Sequence, residues 1–417
     1  MNHILPQAPF SPELLPSWFE ERRRLAAEQA EQLPAPSRRV ESWRFGSPAR
    51  ESLEGFEPAL PCEPEALATL MAAAPAVQNA IRVVYANGRP VLIPEQLPEG
   101  LAVMDLQDFI RNCPELARQH LQTTPEQLGS EQLAARHAAQ LHHGLVILVE
   151  REITRPLELL HAVSGSKTPV FPYTLVIAQP GGRIRILERH ISADQGEHFC
   201  CAMQEHHLAA SSGVAYALVQ ELNRHSRAVE LSHITADDSA EMEHLTSHPG
   251  GAWARQETIC LLTGAGAGVR LISANALNGS RELDQRTYQR HACRGASSNL
   301  LYTNMLDDDA KSIFSGMIMV EEGAHDTSAY QSNRNLILSP RAEANSIPGL
   351  EILADRVQCS HGTATSSISQ EEIFYLLSRG IPEREARAMI ARGFLKNALN
   401  QFSDEAIRTA VESLALP

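Results

Sequence analysis

Between Gly144 and about Cys359 the chain is a long succession of short β-type runs, and this constrains its fold more than any other feature. The runs are "LVILVE", "LELLHAV", "YTLVIA", "RIRILER", "AYALVQEL", "AVELSHI", "TICLLTG", "VRLISANAL", "SIFSGMIMV" and "RNLILS". Gly, Asn, Asp, Pro and Ser separate them, and successive runs begin roughly 12 to 20 residues apart. No convincing helix of about twelve residues or more lies between them, whereas the parallel strands of an α/β fold need helical crossovers, so that class is disfavoured. A β-sandwich and a parallel β-helix, in which each coil stacks on the last, both remain. Spacing alone leaves the choice open.

Both flanks read differently. Residues 11 to about 150 are helix-rich. Ser17-Trp18-Phe19-Glu20 has the form of a capping box, and the helix it opens stops at Pro34-Ala35-Pro36. Its Arg22-Arg23-Arg24 run reads as a solvated helix face. "AIRVVYANGRPVLIP" predicts two short strands about an Asn87-Gly88 turn, and "SEQLAARHAAQL" a further helix. After Thr365 the chain returns to helix. Ser369-Gln370-Glu371-Glu372 is a second capping box, Ile373, Leu376 and Leu377 form an apolar stripe, and Gly380 fits a C′ position. Pro382 opens the next helix, with a stripe of Ala386, Met389, Ile390, Gly393 and Phe394, and a last helix runs from Ser403 to Leu414. The expected division is a helix-rich domain over 1–143, a β core over 144–365 and a helical domain over 366–417.

Composition excludes several functions. With a formal net charge of −14, the chain lacks the basic surface that nucleic acids or anionic membranes require. Its seven cysteines are scattered with no C-x-x-C, which fits a reducing cytosol better than a disulfide framework. The start, Met1-Asn2-His3-Ile4-Leu5-Pro6, is not patterned as a signal peptide, and no apolar run is long enough to cross a bilayer. A soluble cytoplasmic protein is expected.

Most motif candidates have bland readings. Gly264-Ala265-Gly266-Ala267-Gly268 has glycine at every second position rather than G-x-G-x-x-G, so it reads as a turn between strands; no phosphate loop and no bound nucleotide are expected. His244 and His248 have the spacing of a helical zinc pair but lack the glutamate of H-E-x-x-H, and Pro249-Gly250-Gly251 follows, so a surface loop is expected. Cys200-Cys201 on a strand would send its thiols to opposite faces. Cys359-Ser360-His361 is different, because residues i and i+2 of an extended chain share a face. A thiolate and an imidazole together suit iron, zinc or copper, and equally a nucleophile–base pair. Two donors do not close a metal site, so further ligands would have to come from elsewhere.

The stretch from Ser312 to Leu399 carries a resemblance. "IFSGMIMVEEGAHDTSAYQSNRNLILSPRAEA", "LEILADRVQCSHG" and "EEIFYLLSRGIPEREARAMI" strongly resemble the SufB/SufD family of iron–sulfur cluster assembly scaffolds. Weaker similarity extends through "SRRVESWRF" and "TRPLELLH". Within the family the chain is similar to the SufD type, since the SufB type usually has His-Glu-Ala where this chain has Cys-Ser-His-Gly. It departs from the family pattern at Tyr302-Thr303 and over 280–287, so no role is carried onto 280–304.

The resemblance implies a right-handed parallel β-helix core between N-terminal and C-terminal helical domains. It implies a non-enzymatic scaffold subunit in complex with SufB and two copies of the ATPase SufC, the β-helices of SufB and SufD pairing. A nascent Fe–S cluster would form transiently at that interface, with His361 and more weakly Cys359 as metal ligands shared with the partner. Each C-terminal helical domain would dock one SufC, through Phe374, Tyr375, Arg379, Gly380, Ile381 and Pro382 of the "FYLLSRGIP" motif. Alone, the chain could pair with itself through an unmatched β edge. Two alternatives stand beside this reading. One is a β-helix enzyme using Cys359 and His361 as nucleophile and base; the other is a purely structural partner of SufB.

Overall fold

One corner of each turn of the β region carries a residue in the left-handed conformation, and those residues mark its period. Gly181, Ser211, Ser239, Gly266, Gly295, Asp326 and Arg356 all have positive φ, between 53° and 77°. They recur about every 30 residues, which is one structural repeat. A computed structural model describes residues 15–57, 59–74, 76–121 and 127–416. In it, each repeat lays down two strands, one in each of two sheets. The first sheet stacks Leu157–Val163, Arg183–Ser192, Gly213–Glu221, Glu241–Ser247, Gly268–Leu277, Ser297–Leu306, Ser328–Ile337 and Gln358–Ser367. The second stacks Leu145–Val149, Tyr173–Ala178, His198–Leu208, Arg227–Ala236, Trp253–Leu262, Glu282–His291, Lys311–Val320 and Glu343–Ile352. Neighbouring strands within these stacks are parallel. The core is therefore a β-solenoid of ~8 turns over 145–367, the coiled alternative rather than the sandwich. The expectation for residues 1–6 lies outside the described residues.

The glycine run belongs to a corner. Gly266 has φ 69°, and a Cβ on Gly264 would meet the backbone nitrogen of Asp238 at 1.9 Å. Only glycine fits, because coils pass so closely there. Ahead of the solenoid, Ile81–Ala86 and Arg89–Leu92 form the expected hairpin about Asn87 (φ 48°) and Gly88 (φ 74°). Positive φ at both central positions matches the twist of the two strands. Ile81–Ala86 then joins the first sheet beside Leu157–Val163, and Leu101–Asp105 lies antiparallel to Leu145–Val149 at the start of the second.

Helices cover both outer faces. Phe19, Leu106, Phe109 and Leu133 from the N-terminal segment pack on Phe199, Met203, Val229 and Trp253 of the second sheet. The helices Glu383–Leu399 and Glu405–Ala415 fold back along the first sheet, where Leu395, Leu399, Ile407 and Val411 meet Leu187, Val219, Leu245 and Ile272. Fully burying one leucine of this kind is worth about 1.5–3 kcal/mol. Among the described residues, no helix is long and apolar enough to cross a membrane.

One buried cation ties the N-terminal segment to the solenoid. Arg255 is fully buried, with Nε donating to Glu257 and Nη1 to Asp284, both at 2.6 Å. The same guanidinium donates to the carbonyls of Ser42 and Leu128 and lies 3.8 Å over the Trp43 ring.

Several local expectations are corrected. Ser17 is already inside its helix, whose N-cap is Pro16, so no capping box forms there. In the triple-arginine run only Arg24 is solvated; Arg22 and Arg23 donate to the carbonyls of Leu121 and Ala139, at the C-terminal ends of two neighbouring helices. Leu377, Met389 and Gly393 are exposed, because the C-terminal helices are buried along a stripe through Ile373, Ala386, Ala391, Leu395 and Ala398. His244 and His248 are not in a surface loop. They are buried on the interior face at and just after Glu241–Ser247, since i and i+4 share a face of a strand as they do of a helix.

Candidate functional site

The last coil is open. Among the described residues, Gln358–Ser367 pairs only with Ser328–Ile337, and Glu343–Ile352 only with Lys311–Val320, so each sheet ends in a free edge. Natural sheets usually guard such edges with lysine, proline or a bulge. Glu343–Ile352 carries Pro348, but Gln358–Ser367 (QCSHGTATSS) has neither a charged residue nor a proline. Ile352 and Leu353 are exposed beside it, Leu353 at 55%.

Register fixes where the thiol and imidazole lie. Cys359 pairs with Ala329 and His361 with Gln331. Ala329 and Gln331 are both buried, so Cys359 and His361 continue the interior-facing row onto a coil with nothing stacked above it. The expected shared face is therefore present, at the mouth of the solenoid. Cys359 is half-buried against Ile318, Val320, Ala324 and Ala329, and this burial pushes its thiol pKa up, partly offset by the Ala329 backbone N–H. His361 is exposed. Behind it, Gln331 accepts from Gln289 at 3.3 Å and donates to the Gly316 carbonyl at 3.2 Å.

Two residues after the end of this strand, Ser369 caps the helix Gln370–Ser378 by accepting from the Glu371 backbone N–H. The helix ends in a Schellman motif: Gly380 (φ 80°) donates to Leu377 and Ile381 to Leu376. Pro382 is the N-cap of the helix that follows. Phe374 and Tyr375 stand out at 72% and 56% exposure, and the Arg379 guanidinium lies 5.1 Å over the Tyr375 ring. The motif thus forms one exposed apolar face with a cation at its edge.

A second cluster lies at the other end of the solenoid and was not found by sequence reasoning. His161, Glu188 and His190 are buried on the interior face of the first two of these coils, with one donor atom from each within 4.8 Å of the others. Burial alone would raise the Glu188 pKa, but the two histidines and the Tyr216 hydroxyl outweigh it and hold the carboxyl well below its usual range. Burial pushes His161 down to about 4. For His190 burial opposes charge, yet the Cys200 thiol and Glu188 hold its pKa well above the ordinary value. A buried ladder of polar side chains continues from here along the interior. His248 pairs with Glu230 at 2.8 Å, Asn275 donates to Asn304 at 2.9 Å, and Asn304 to Asn335 at 3.3 Å. The available sequence signal was the period-two row Ile184, Ile186, Glu188, His190, where two polar residues continue an apolar face.

The fold and the open end define a β-solenoid subunit that presents a thiol and an imidazole at an unpaired edge. Residues 161–394 match the family described as SUF system FeS cluster assembly, SufBD core domain. This covers more than half of the chain, which therefore belongs to the SufBD family. Similar curated proteins include the iron–sulfur cluster assembly protein SufD of Escherichia coli, 29% identical over 265 residues, covering 62% of each chain. SufD of Bacillus subtilis is 23% identical over 424 residues, covering 96% of this chain and 93% of its own length. A SufBD family protein of Synechocystis is 24% identical over 397 residues, covering 91% of this chain and 86% of its own. The chain thus spans less than two thirds of the Escherichia coli protein and most of the other two. Membership makes it a SufBD-family component of the SUF iron–sulfur cluster assembly system.

Proposed function

We propose that this chain is a SufD-like scaffold subunit whose open last coil pairs with a SufB-type subunit, and that a nascent Fe–S cluster is assembled at the joint. The observation that carries this is the unguarded edge Gln358–Ser367 with Cys359 and His361 on its interior-facing row. An uncharged, unpaired edge is a template for another strand, and covering it by a partner removes the aggregation hazard. The two donors at the mouth would then meet ligands from the partner, which answers the shortfall of a two-residue site. The cluster is cargo here, passed on after assembly.

His361 is the stronger ligand of the pair. It is exposed, and a neutral imidazole binds iron through either ring nitrogen. Cys359 is half-buried and its thiol is held protonated, which weakens it both as a ligand and as a nucleophile. That disfavours the nucleophile–base enzyme. The exposed face of Phe374, Tyr375, Arg379, Gly380, Ile381 and Pro382 would dock a SufC-type ATPase, two in the complex. Because the helix Gln370–Ser378 begins just after the edge strand, movement of a docked ATPase has a short covalent path to the site. In the assembled complex, His361→Ala is expected to lower the iron and acid-labile sulfide retained by about tenfold with complex composition unchanged. Wild-type cluster content in that variant would take His361 out of the mechanism.

A further inference from the structure

We propose that His161, Glu188 and His190 form a binding site for one divalent transition cation, zinc or ferrous iron, inside the solenoid. The site lies about seven strand spacings, roughly 30 Å, from Cys359 and His361, so the inference does not depend on the reading of the open coil.

The three residues come from adjacent strands of one sheet. His161 is in Leu157–Val163, and Glu188 and His190 are in Arg183–Ser192, on the same interior face. Nε2 of His190 is 2.7 Å from Oε1 of Glu188, and Nε2 of His161 is 3.5 Å from that oxygen. Two imidazoles and a carboxylate converging in this way are the donor set that suits zinc or non-haem ferrous iron. All three are almost wholly enclosed, at 3%, 0% and 0% exposure.

Two further observations point to a ligand. Both ring nitrogens of His161 are buried without a hydrogen-bond partner among the described residues. Buried polar atoms are nearly always paired, so an imidazole orphaned at both nitrogens beside a carboxylate marks an incomplete site. The carboxylate is also supported from behind. Its second oxygen, Oε2, accepts from the Thr174 hydroxyl at 2.8 Å and from the Tyr216 hydroxyl. Gln204 Nε2 approaches Oε1 at 3.4 Å. Outer partners of this kind orient a ligating carboxylate and fix its charge. The His161 ring is held between Tyr85, with centroids 5.6 Å apart, and His190, at 5.2 Å. A cation would displace the proton shared by Glu188 and His190 and give His161 the partner it lacks.

A site this enclosed fills most readily while the chain folds, so the test supplies the ion during expression. The full chain is produced in cobalt-supplemented medium, desalted against chelator, and analysed for cobalt and its visible d–d absorption. One equivalent of Co2+ is expected, with tetrahedral or five-coordinate bands. His161→Phe, which keeps a ring in the same packing, is expected to retain about 100-fold less cobalt. Chelator-resistant cobalt equal in wild type and His161→Phe would overturn the proposal. Should the variant fail to fold, anomalous diffraction from wild-type crystals decides. A peak bounded by His161, Glu188 and His190 supports the site; no peak there, or one only at the surface, overturns it.

Discussion

Changing Phe374 and Tyr375 together to aspartate is expected to weaken association with a SufC-type ATPase by about 100- to 1,000-fold. Both rings are more than half exposed, and Ile373 is the one buried side chain of their helix. The substitution therefore leaves the packing on the first sheet untouched. What it removes is a pair of aromatic anchors of the kind that carries most of the energy of a protein interface, and it places charge where a partner would have to desolvate it. Tyr375 also loses the Arg379 guanidinium stacked on it. The readout is titration of the purified chain with the ATPase, with circular dichroism as the control for folding. Affinity equal to wild type would remove this face from the proposed docking surface.

The largest expected effect on stability is at Arg255. Arg255→Ala leaves Glu257 and Asp284 as buried carboxylates without their cation, an error that costs about 3–5 kcal/mol. Arg286 still donates to Asp284 at 2.9 Å, and Glu257 still accepts from the Leu128 backbone, so part of each charge stays compensated. The loss should lower the apparent melting temperature by roughly 3–6 °C at a fixed scan rate. It should also loosen the N-terminal segment first, since Arg255 holds Ser42 and Leu128 by their carbonyls and stacks on Trp43. Limited proteolysis would then cut before residue 140 well before the solenoid is attacked. Arg255→Met combined with Glu257→Gln should recover most of the stability, because Glu257 then carries no charge and Asp284 keeps Arg286 as its partner. A variant Arg255→Ala that melts as wild type would show that the network contributes nothing.

The strands and their turns were legible because a half-buried strand shows its faces in alternate residues. Val83, Leu159 and Ile186 sit where the period-two pattern puts them. Gly380 and Ser369 were legible because helix ends leave orphan backbone groups that few residue types satisfy. The repeat was hidden by its corners. The same left-handed position is filled by Gly, Ser, Asp and Arg, so no single residue recurs and a coil could not be told from a sandwich by spacing. The family resemblance, carried by the string from Ser312 to Leu399, was needed to choose. The buried polar ladder was illegible for a physical reason. His248, Glu188 and Asn304 are residues that normally face water, and only polar neighbours brought together by the coil satisfy them inside. Arg255 gives little sequence signal, since only Glu257 is near it in the chain and its other partners stand in the next strand and in the distant N-terminal segment.

The central claim is that this chain works as one subunit of a SUF assembly complex. Its most direct test is co-expression with SufB-type and SufC-type proteins and native mass spectrometry of what purifies on a tag carried by this chain. The account predicts one stable complex with this chain, one SufB-type subunit and two SufC-type subunits, lost when the uncharged edge Gln358–Ser367 is given lysines at Ser360 and Thr363. Recovery of this chain alone, with both candidate partners well expressed and folded, would contradict it.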